Sequence, residues 1–600
     1  MRLSKLYSNQ HDFFRPLSFR AGLNVVHAEI RVPENRKRTT HNLGKSTLGR
    51  LIDFCLLVVP NKPEDLFLFK HIELFGNFVF FLEIELEDGS YVTVRRAVSP
   101  ASRIAFKRHA RGGEDFGELD VKQWDHNDIP IDRAVALLDG LLNLRDVAPW
   151  SYRTGLGYHL RSQDDYSSVF QLKRHRGKDA EWKPFLGHIL GFHSELITGH
   201  YGKEETIQEE EHNEHLLKKE LGGEVQDLNK IAGLLVLARK EESDKQEILD
   251  AFDFRAVDKE NTKIIVEDFD KRIAHLNGQR YTLTAKRKKL RDSLDDESVL
   301  FDPSEASKLF NEAGIVFEGQ VKRDFEELIR FNKAITVERK TYLEEDLKEI
   351  AEELKTVSEQ INGLSKRRSQ SLSFLTETDV LSKYKLLSNE LATLKANIAL
   401  LERQRDVLAK LQGMRKRIRA LKTEHMELQA SVEADVSDQN TNPQSFFSAV
   451  RLYFREIVND VLGENGLLSV TTNTRGHLEF GAEIVSQDGK ATSAAKGHTY
   501  RKLLCIAFDL AIIRAHLATL FPRFAYHDGA FEALDTRMKL NLIDVSRVYA
   551  DLGVQQIITV IDSDLPKLPD GEGRVFTDEE IILTLHDEGD DGRLFMMPAW

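Results

Sequence analysis

Asn42-Leu43-Gly44-Lys45-Ser46-Thr47 sets a glycine, a lysine and two hydroxyls in direct succession. That order suits phosphate. Glycine lets backbone N–H groups approach an anion, lysine reaches the β- and γ-phosphates, the Ser46 hydroxyl faces a magnesium ion, and a following helix adds its dipole. Such a site needs an acidic group at a strand end to hold the same ion. Phe524-Ala525-Tyr526-His527-Asp528, near the other end of the chain, reads as an apolar strand ending in that aspartate. ATP and Mg2+ are the expected ligands, with Ser46 and Asp528 on the metal side. Glu532, Asp562 and Asp564 are the carboxylates available to orient water, and each can equally be read as a solvated loop residue.

The elements between these groups must return the chain to its start. Met1 to Tyr7, Leu23 to Ala28 and Phe78 to Leu86 have strand-like apolar content, the last joined by Glu87-Asp88-Gly89 to Tyr91 to Val94 as a hairpin. After the phosphate loop, Leu48, Leu51, Ile52, Cys55 and Leu56 mark a helix with one buried face. From about 203 the composition shifts to Glu, Lys, Leu and Gln. Leu343, Leu347, Ile350, Leu354, Val357, Ile361 and Leu364 alternate 4 and 3, and Leu387, Leu391, Leu394, Ile398, Leu401 and Leu408 continue the pattern. This is a coiled-coil seam, or alternatively a helical bundle. Gly222-Gly223 and the stretch from Gly363 to Thr378 are expected to break it into joints, and Phe301 to Gly319 to bend it. From Asn440 the pattern returns to α/β, with a helix over Phe446 to Leu462 and a hairpin of Leu467 to Thr472 and His477 to Ile484. The expected organisation is 1–202 N-terminal head lobe, 203–296 ascending arm, 297–322 bend or tip, 323–435 descending arm and 436–600 C-terminal head lobe. The fold class is therefore an α/β P-loop head assembled from both chain ends, with a long antiparallel α-helical coiled-coil arm inserted between the lobes.

Composition narrows the class. Of 600 residues 30% are charged, with a net charge of -13, which argues against a globally basic nucleic-acid binder. Cys55 and Cys505 are the only cysteines, too few for a disulfide framework, a CxxC zinc site or a zinc hook at an arm tip. With no apolar run of about 18 residues and no signal-peptide layout, the expectation is no membrane and a reducing cytoplasm. Local basic runs occur at Lys173-Arg174-His175-Arg176, Lys286-Arg287-Lys288-Lys289, Lys366-Arg367-Arg368 and Arg415-Lys416-Arg417. They could contact DNA phosphates or simply flank a coil.

Asp528 stands seven residues before Asp535 in Glu532-Ala533-Leu534-Asp535, and Gly497-His498-Thr499-Tyr500-Arg501-Lys502 precedes the apolar helix Leu503 to Ile513. With Gln163 after Tyr158-His159-Leu160-Arg161, these motifs resemble ABC-type heads of the SMC and RecN group. The resemblance implies a homodimer with ATP sandwiched between heads, Lys45, Ser46, Gln163 and Asp528 of one copy facing the Gly497–His498 loop and Asp535 of the other. Departures are specific. Thr39 and Asn42 replace glycines, the serine-glycine-glycine core of the signature is absent, Ile561 or Asp562 stands at a switch histidine, and Gly529 replaces the glutamate that orients water. Slow or partner-dependent hydrolysis follows, and whether the chain is an enzyme stays open.

The opening Met1-Arg2-Leu3-Ser4-Lys5-Leu6-Tyr7, Gly22-Leu23-Asn24-Val25-Val26, Ala28-Glu29-Ile30-Arg31 and Thr40-His41-Asn42-Leu43-Gly44-Lys45 is similar to coiled-coil ATPases of bacterial ABC three-component and Lamassu-like anti-phage defence systems. That likeness implies a sensor or clamp for double-stranded DNA or its ends, working with a nuclease effector and a small accessory subunit. A housekeeping DNA-repair ATPase and a non-hydrolysing ATP-binding scaffold are the alternatives.

Overall fold

The computed structural model describes residues 1–32, 43–60, 62–172, 177–220, 227–251, 259–295, 319–372, 378–486, 498–566, 574–598 and 600. They form two units, one of Met1–Glu205 with Thr423–Trp600 and one of Thr206–Lys422. The first unit is an α/β head made from both chain ends, and the second is a helical insertion.

The centre of the head is a five-stranded sheet in the order Ile581–His586, Leu23–Glu29, Gln555–Ile561, Phe524–His527, Leu160–Arg161. Every neighbouring pair in it is parallel. The central strands are buried on both faces, as parallel strands covered by helices are. All four residues of Phe524–His527 and six of the seven in Gln555–Ile561 are buried. The strand that precedes the phosphate loop is thus clasped on each side by strands from the C-terminal end. A six-stranded antiparallel sheet, in the order Leu17–Ser18, Arg2–Ser8, Val79–Glu85, Tyr91–Ala97, Arg103–His109, His126–Pro130, completes the N-terminal part. The hairpin expected around Glu87 to Gly89 is present there, Glu85 pairing with Tyr91.

The helix Lys45–Cys55 buries Leu48, Leu51, Ile52, Phe54 and Cys55, the face its spacing demanded. Its C-terminal end is neutralised by cations, which favour the negative end of a helix dipole. Buried Arg96 donates to Phe54 O at 2.6 Å and Val58 O at 2.9 Å, and Arg153 donates to Leu56 O at 3.0 Å. Burial pushes Arg96 down to about 10, so it remains charged at neutral pH. On the C-terminal side, the helix Phe446–Leu462 is started by Ser445, whose hydroxyl accepts from Ser448 N, and stopped by Gly463 in the left-handed region. It buries Phe447, Val450, Phe454, Ile457 and Val458 against the helix His498–Ala515 and the hairpin strand Asn465–Thr472.

A buried ion pair joins the lobes beneath the sheet's edge. Arg161 grips Asp509 through two hydrogen bonds of 2.7 Å, both side chains being fully inaccessible. Its remaining donors reach the carbonyls of Asp165, Ser168 and Val169. Burial opposes the charge on Arg161, but Asp509 outweighs it and holds its pKa above the ordinary value.

The helical unit has long helices over Leu228–Asp250, Lys259–Asp295 and Gly319–Leu372, and most of Thr378–Thr441. The heptad positions face inward. Ile231, Leu235 and Ala238 pack with Ile398 and Leu408, and Leu249, Val266 and Leu372 pack with Tyr384 and Leu391. Pairing is antiparallel: Glu214 meets Arg415 at 2.8 Å, Glu210 meets Arg417 at 3.2 Å, and Lys245 meets Glu390 at 2.6 Å. Of the joint expected from Gly363 to Thr378, the first part is helical: one helix runs through Gly363 to Leu372 and the next begins at Thr378, while 373–377 lie outside the described residues. An isolated glycine costs a helix only about 1 kcal/mol, which the seam around Ile361 offsets. The expected break at Gly222-Gly223 and positions 297–318 of the expected 297–322 bend lie outside the described residues, and a helix begins at Gly319. No helix among the described residues is long and apolar enough to cross a membrane.

Two outcomes follow from the buried charges. Asp509→Asn leaves Arg161 charged and half-partnered, so it should destabilise the head by about 3–5 kcal/mol in urea unfolding. Buried His159, hydrogen bonded to Phe524 O at 2.9 Å, has its pKa pushed down by burial from 6.5 to about 4. The unfolded chain therefore binds this proton first, so stability is full above about pH 6.5 and is lost as pH falls towards 4. In His159→Gln the slope of stability against pH in that window should shrink.

Candidate nucleotide site

Gly44 caps the helix Lys45–Cys55 with φ 100°, and no side chain caps its N-terminal N–H groups. A Cβ at Gly44 would stand 2.6 Å from the Cβ of Leu594, so both backbone and space require glycine here. Leu594 belongs to a C-terminal strap across the loop: its N–H donates to Leu43 O at 3.0 Å, and Met596 N–H donates to Phe13 O at 2.9 Å. Lys45 is 5% exposed. Burial lowers its pKa, while Asp528, Glu532 and Asp564 pull it back up. Thr47 is half-buried and Ser46 is exposed at the helix start.

The strand Phe524–His527 is tied to this loop directly. The Tyr526 hydroxyl donates to Lys45 O at 2.7 Å, and Gly49 makes room for the tyrosine ring, which a Cβ there would meet at 2.6 Å. Asp528 follows at the strand end, 2% exposed. Thr559 holds it, donating to Asp528 Oδ1 at 2.7 Å and accepting from Gly529 N at 2.8 Å. The Asp528 N–H also donates to Arg161 O at 3.1 Å, which connects the aspartate to the buried Arg161–Asp509 pair.

Gly529 has φ 64°, and a Cβ on it would lie 2.6 Å from Glu532 Oε1 and 2.7 Å from its carboxyl carbon. The Glu532 carboxylate therefore occupies the space a side chain at 529 would enter. It is held there by two donors, Gln163 Nε2 to Oε1 at 2.8 Å and Lys502 Nζ to Oε2 at 2.9 Å. Lys502 also donates to Gly529 O at 2.9 Å. Asp564 is half-buried beside Lys539, Glu532, Lys45 and Lys502. Burial raises its pKa, the lysines lower it and Glu532 raises it again.

Other expected residues stand elsewhere. Asp562 accepts from Ile30 N at 3.0 Å and lies 2.7 Å from His27 Nε2, so its oxygens brace two strand ends. Asp535 is exposed and caps the helix Thr536–Asp551, accepting from Met538 N at 2.9 Å. Asn42 and Gly497 lie outside the described residues, and His498 begins the helix His498–Ala515. Four contributors were not singled out from sequence: Tyr526, Thr559, Lys502 and the Arg161–Asp509 pair. Asp509 alone carried a signal, as the one charge within the apolar run Leu503 to Ile513.

The donor set fits a magnesium–nucleotide pair. A buried lysine, an uncapped helix N-terminus and a glycine that tolerates no Cβ suit phosphate, and an exposed hydroxyl and a buried aspartate suit the metal. Among the basic runs, Arg368 is 4% exposed by its side chain and paired with Asp270 at 3.0 Å. Arg415 and Arg417 are taken by glutamates of the facing helix, as given above. These are interhelical pairs. The run at Lys173 to Arg176 lies outside the described residues.

A family model described as an uncharacterised protein conserved in bacteria (DUF2326) matches residues 455–599, which include Lys502, Asp528, Glu532 and the C-terminal strap but not the phosphate loop. No curated protein matches the chain. Among solved structures, it is similar to an Smc head domain with a coiled coil and joint from Pyrococcus yayanosii, at 14% identity over 93% of this chain and 92% of that one, with a TM-score of 0.33. It is also similar to an Smc head domain with an extended coiled coil, bound to the C-terminal domain of ScpA, from Pyrococcus furiosus, at 11% identity over 94% and 90% with a TM-score of 0.35. These scores lie below 0.5, and the head is defined by its own strand order and site geometry.

Proposed function

We propose that this chain is an SMC-like ATPase subunit that binds Mg-ATP at Gly44 to Thr47 and hydrolyses it slowly. The observation that carries the reading is the placement of Glu532. Its carboxylate fills the space beside Gly529, next to Asp528 and within the field of Lys45. Glu532 accepts the proton of a water that adds to the γ-phosphorus while the bond to the ADP oxygen breaks. Lys45 and the helix N-terminus hold phosphate charge. Ser46 and Asp528, with Gln163 through its amide oxygen, would hold magnesium, which would supply charge to offset that on the phosphates. Asp564 is the reserve carboxylate.

The finer reading rests on the resemblance of the N-terminal segments. Two copies close on ATP, with Asp535 and the Gly497–His498 loop facing the opposite site, and the closed state reports double-stranded DNA or its ends to a nuclease effector through a small accessory subunit in a bacterial defence complex. A ligand can shift this equilibrium only by binding the closed arrangement better. Lys286, Arg287 and Lys288 are exposed on the helix Lys259–Asp295 and are the DNA-facing candidates.

ATP binding and turnover, measured with and without linear double-stranded DNA, test this reading beside Lys45→Ala. Loss of a charge-assisted contact to phosphate should weaken ATP about 10- to 100-fold. Turnover should be slow, rise with DNA and vanish in the variant. Tight ATP binding with no turnover under either condition would favour the scaffold alternative, and Lys45-independent binding would remove the nucleotide reading altogether.

A further inference from the structure

Glu532 is fully engaged within its own chain. Gln163 takes Oε1 and Lys502 takes Oε2, at 2.8 and 2.9 Å. The Lys502 side chain is 3% exposed against 32% for Glu532, and its ammonium lies 4.9 Å from the centre of the Tyr166 ring. Both carboxylate oxygens are thus turned toward donors of the same chain, and in this arrangement Glu532 has the position of a base with neither oxygen given over to water.

We propose that Lys502 is a brake on Glu532, and that release of this ion pair is the regulated step of the site. The inference rests on the reading of Glu532 as the group that orients water. Lys502 lies in the second turn of the helix His498–Ala515, so displacement of that helix's N-terminal end withdraws the ammonium. Gln163 then keeps Glu532 oriented through Oε1 while Oε2 becomes available to water.

ATP affinity and turnover of the full chain without DNA, for wild type, Lys502→Met and Lys502→Gln, test the proposal. The glutamine variant retains a donor for Gly529 O should methionine disturb the turn. Release predicts a kcat about tenfold higher or more, a fraction of the ~10²–10⁴-fold that a general base contributes. ATP affinity should stay within about twofold, since Lys502 is not a phosphate ligand here. An unchanged or lower kcat in both variants, with ATP still bound, overturns the brake. Lys502→Met/Glu532→Gln separates the two readings: if the gain survives loss of the carboxylate, Glu532 is not the base, whereas absence of any gain in the single variants condemns the brake alone.

Discussion

The pairing of Leu23–Glu29 with Gln555–Ile561 is the constraint on which the site depends. These strands run parallel with Val26 beside Thr559, and a parallel pair requires a crossover between its members. Here the crossover contains most of the protein. Once the pair forms, Phe524–His527 adds to its far side and brings Tyr526 to the carbonyl of Lys45. Thr559, on the strand between, steadies Asp528 and the Gly529 N–H together. The phosphate loop, the metal-side aspartate and the turn that follows are thus fixed by three adjacent strand ends, drawn from opposite ends of the chain. The third C-terminal strand of the sheet, Ile581–His586, closes the other side of Leu23–Glu29 and leads into the strap that crosses Leu43 and Gly44.

Charge is managed in two layers. The lower one, Arg161 with Asp509, is sealed from water and completed by backbone carbonyls, which is the condition under which a buried pair can be tolerated. It positions Gln163 two residues on and the carbonyl that receives the Asp528 N–H. The upper layer contains Lys45, Lys502, Asp528, Glu532 and Asp564, and it is partly open to solvent. That difference separates a sealed foundation from groups that solvent and ligand can reach.

Much of the fold was legible because its signals are periodic. The seven-residue spacing from Leu343 to Leu364 marked a helix with one inward stripe, and Leu48 to Leu56 marked the helix after the phosphate loop. At the joint expected from Gly363 to Thr378 the helix continues past Gly363 to Leu372, because one glycine on an exposed helical face costs less than the seam returns. The basic runs at Lys366 to Arg368 and Arg415 to Arg417 left two readings open, DNA contact or coil flank, because composition shows charge but not which carboxylate on a facing helix meets it; Arg368, Arg415 and Arg417 take the second. In the site, residue types adjacent in sequence were readable, including Gly44, Lys45 and Asp528. Lys502 and Thr559 were not, since each acts through contacts with residues 27 to 31 positions away in the C-terminal lobe, which no local spacing announces. Gly529 had the most informative ambiguity. A missing glutamate suggested loss of chemistry, while its left-handed φ is what allows Glu532 to fold back into the vacated space.

The central claim, that Glu532 stands in for the side chain position 529 lacks, is tested most directly by single-turnover hydrolysis of pre-bound ATP in Glu532→Gln. Glutamine preserves size and the hydrogen bond from Gln163 or Lys502 but cannot accept a proton. The account predicts ATP binding close to wild type with the chemical step slowed by about 10²-fold or more. A single-turnover rate equal to wild type would contradict it and move the search to Asp564.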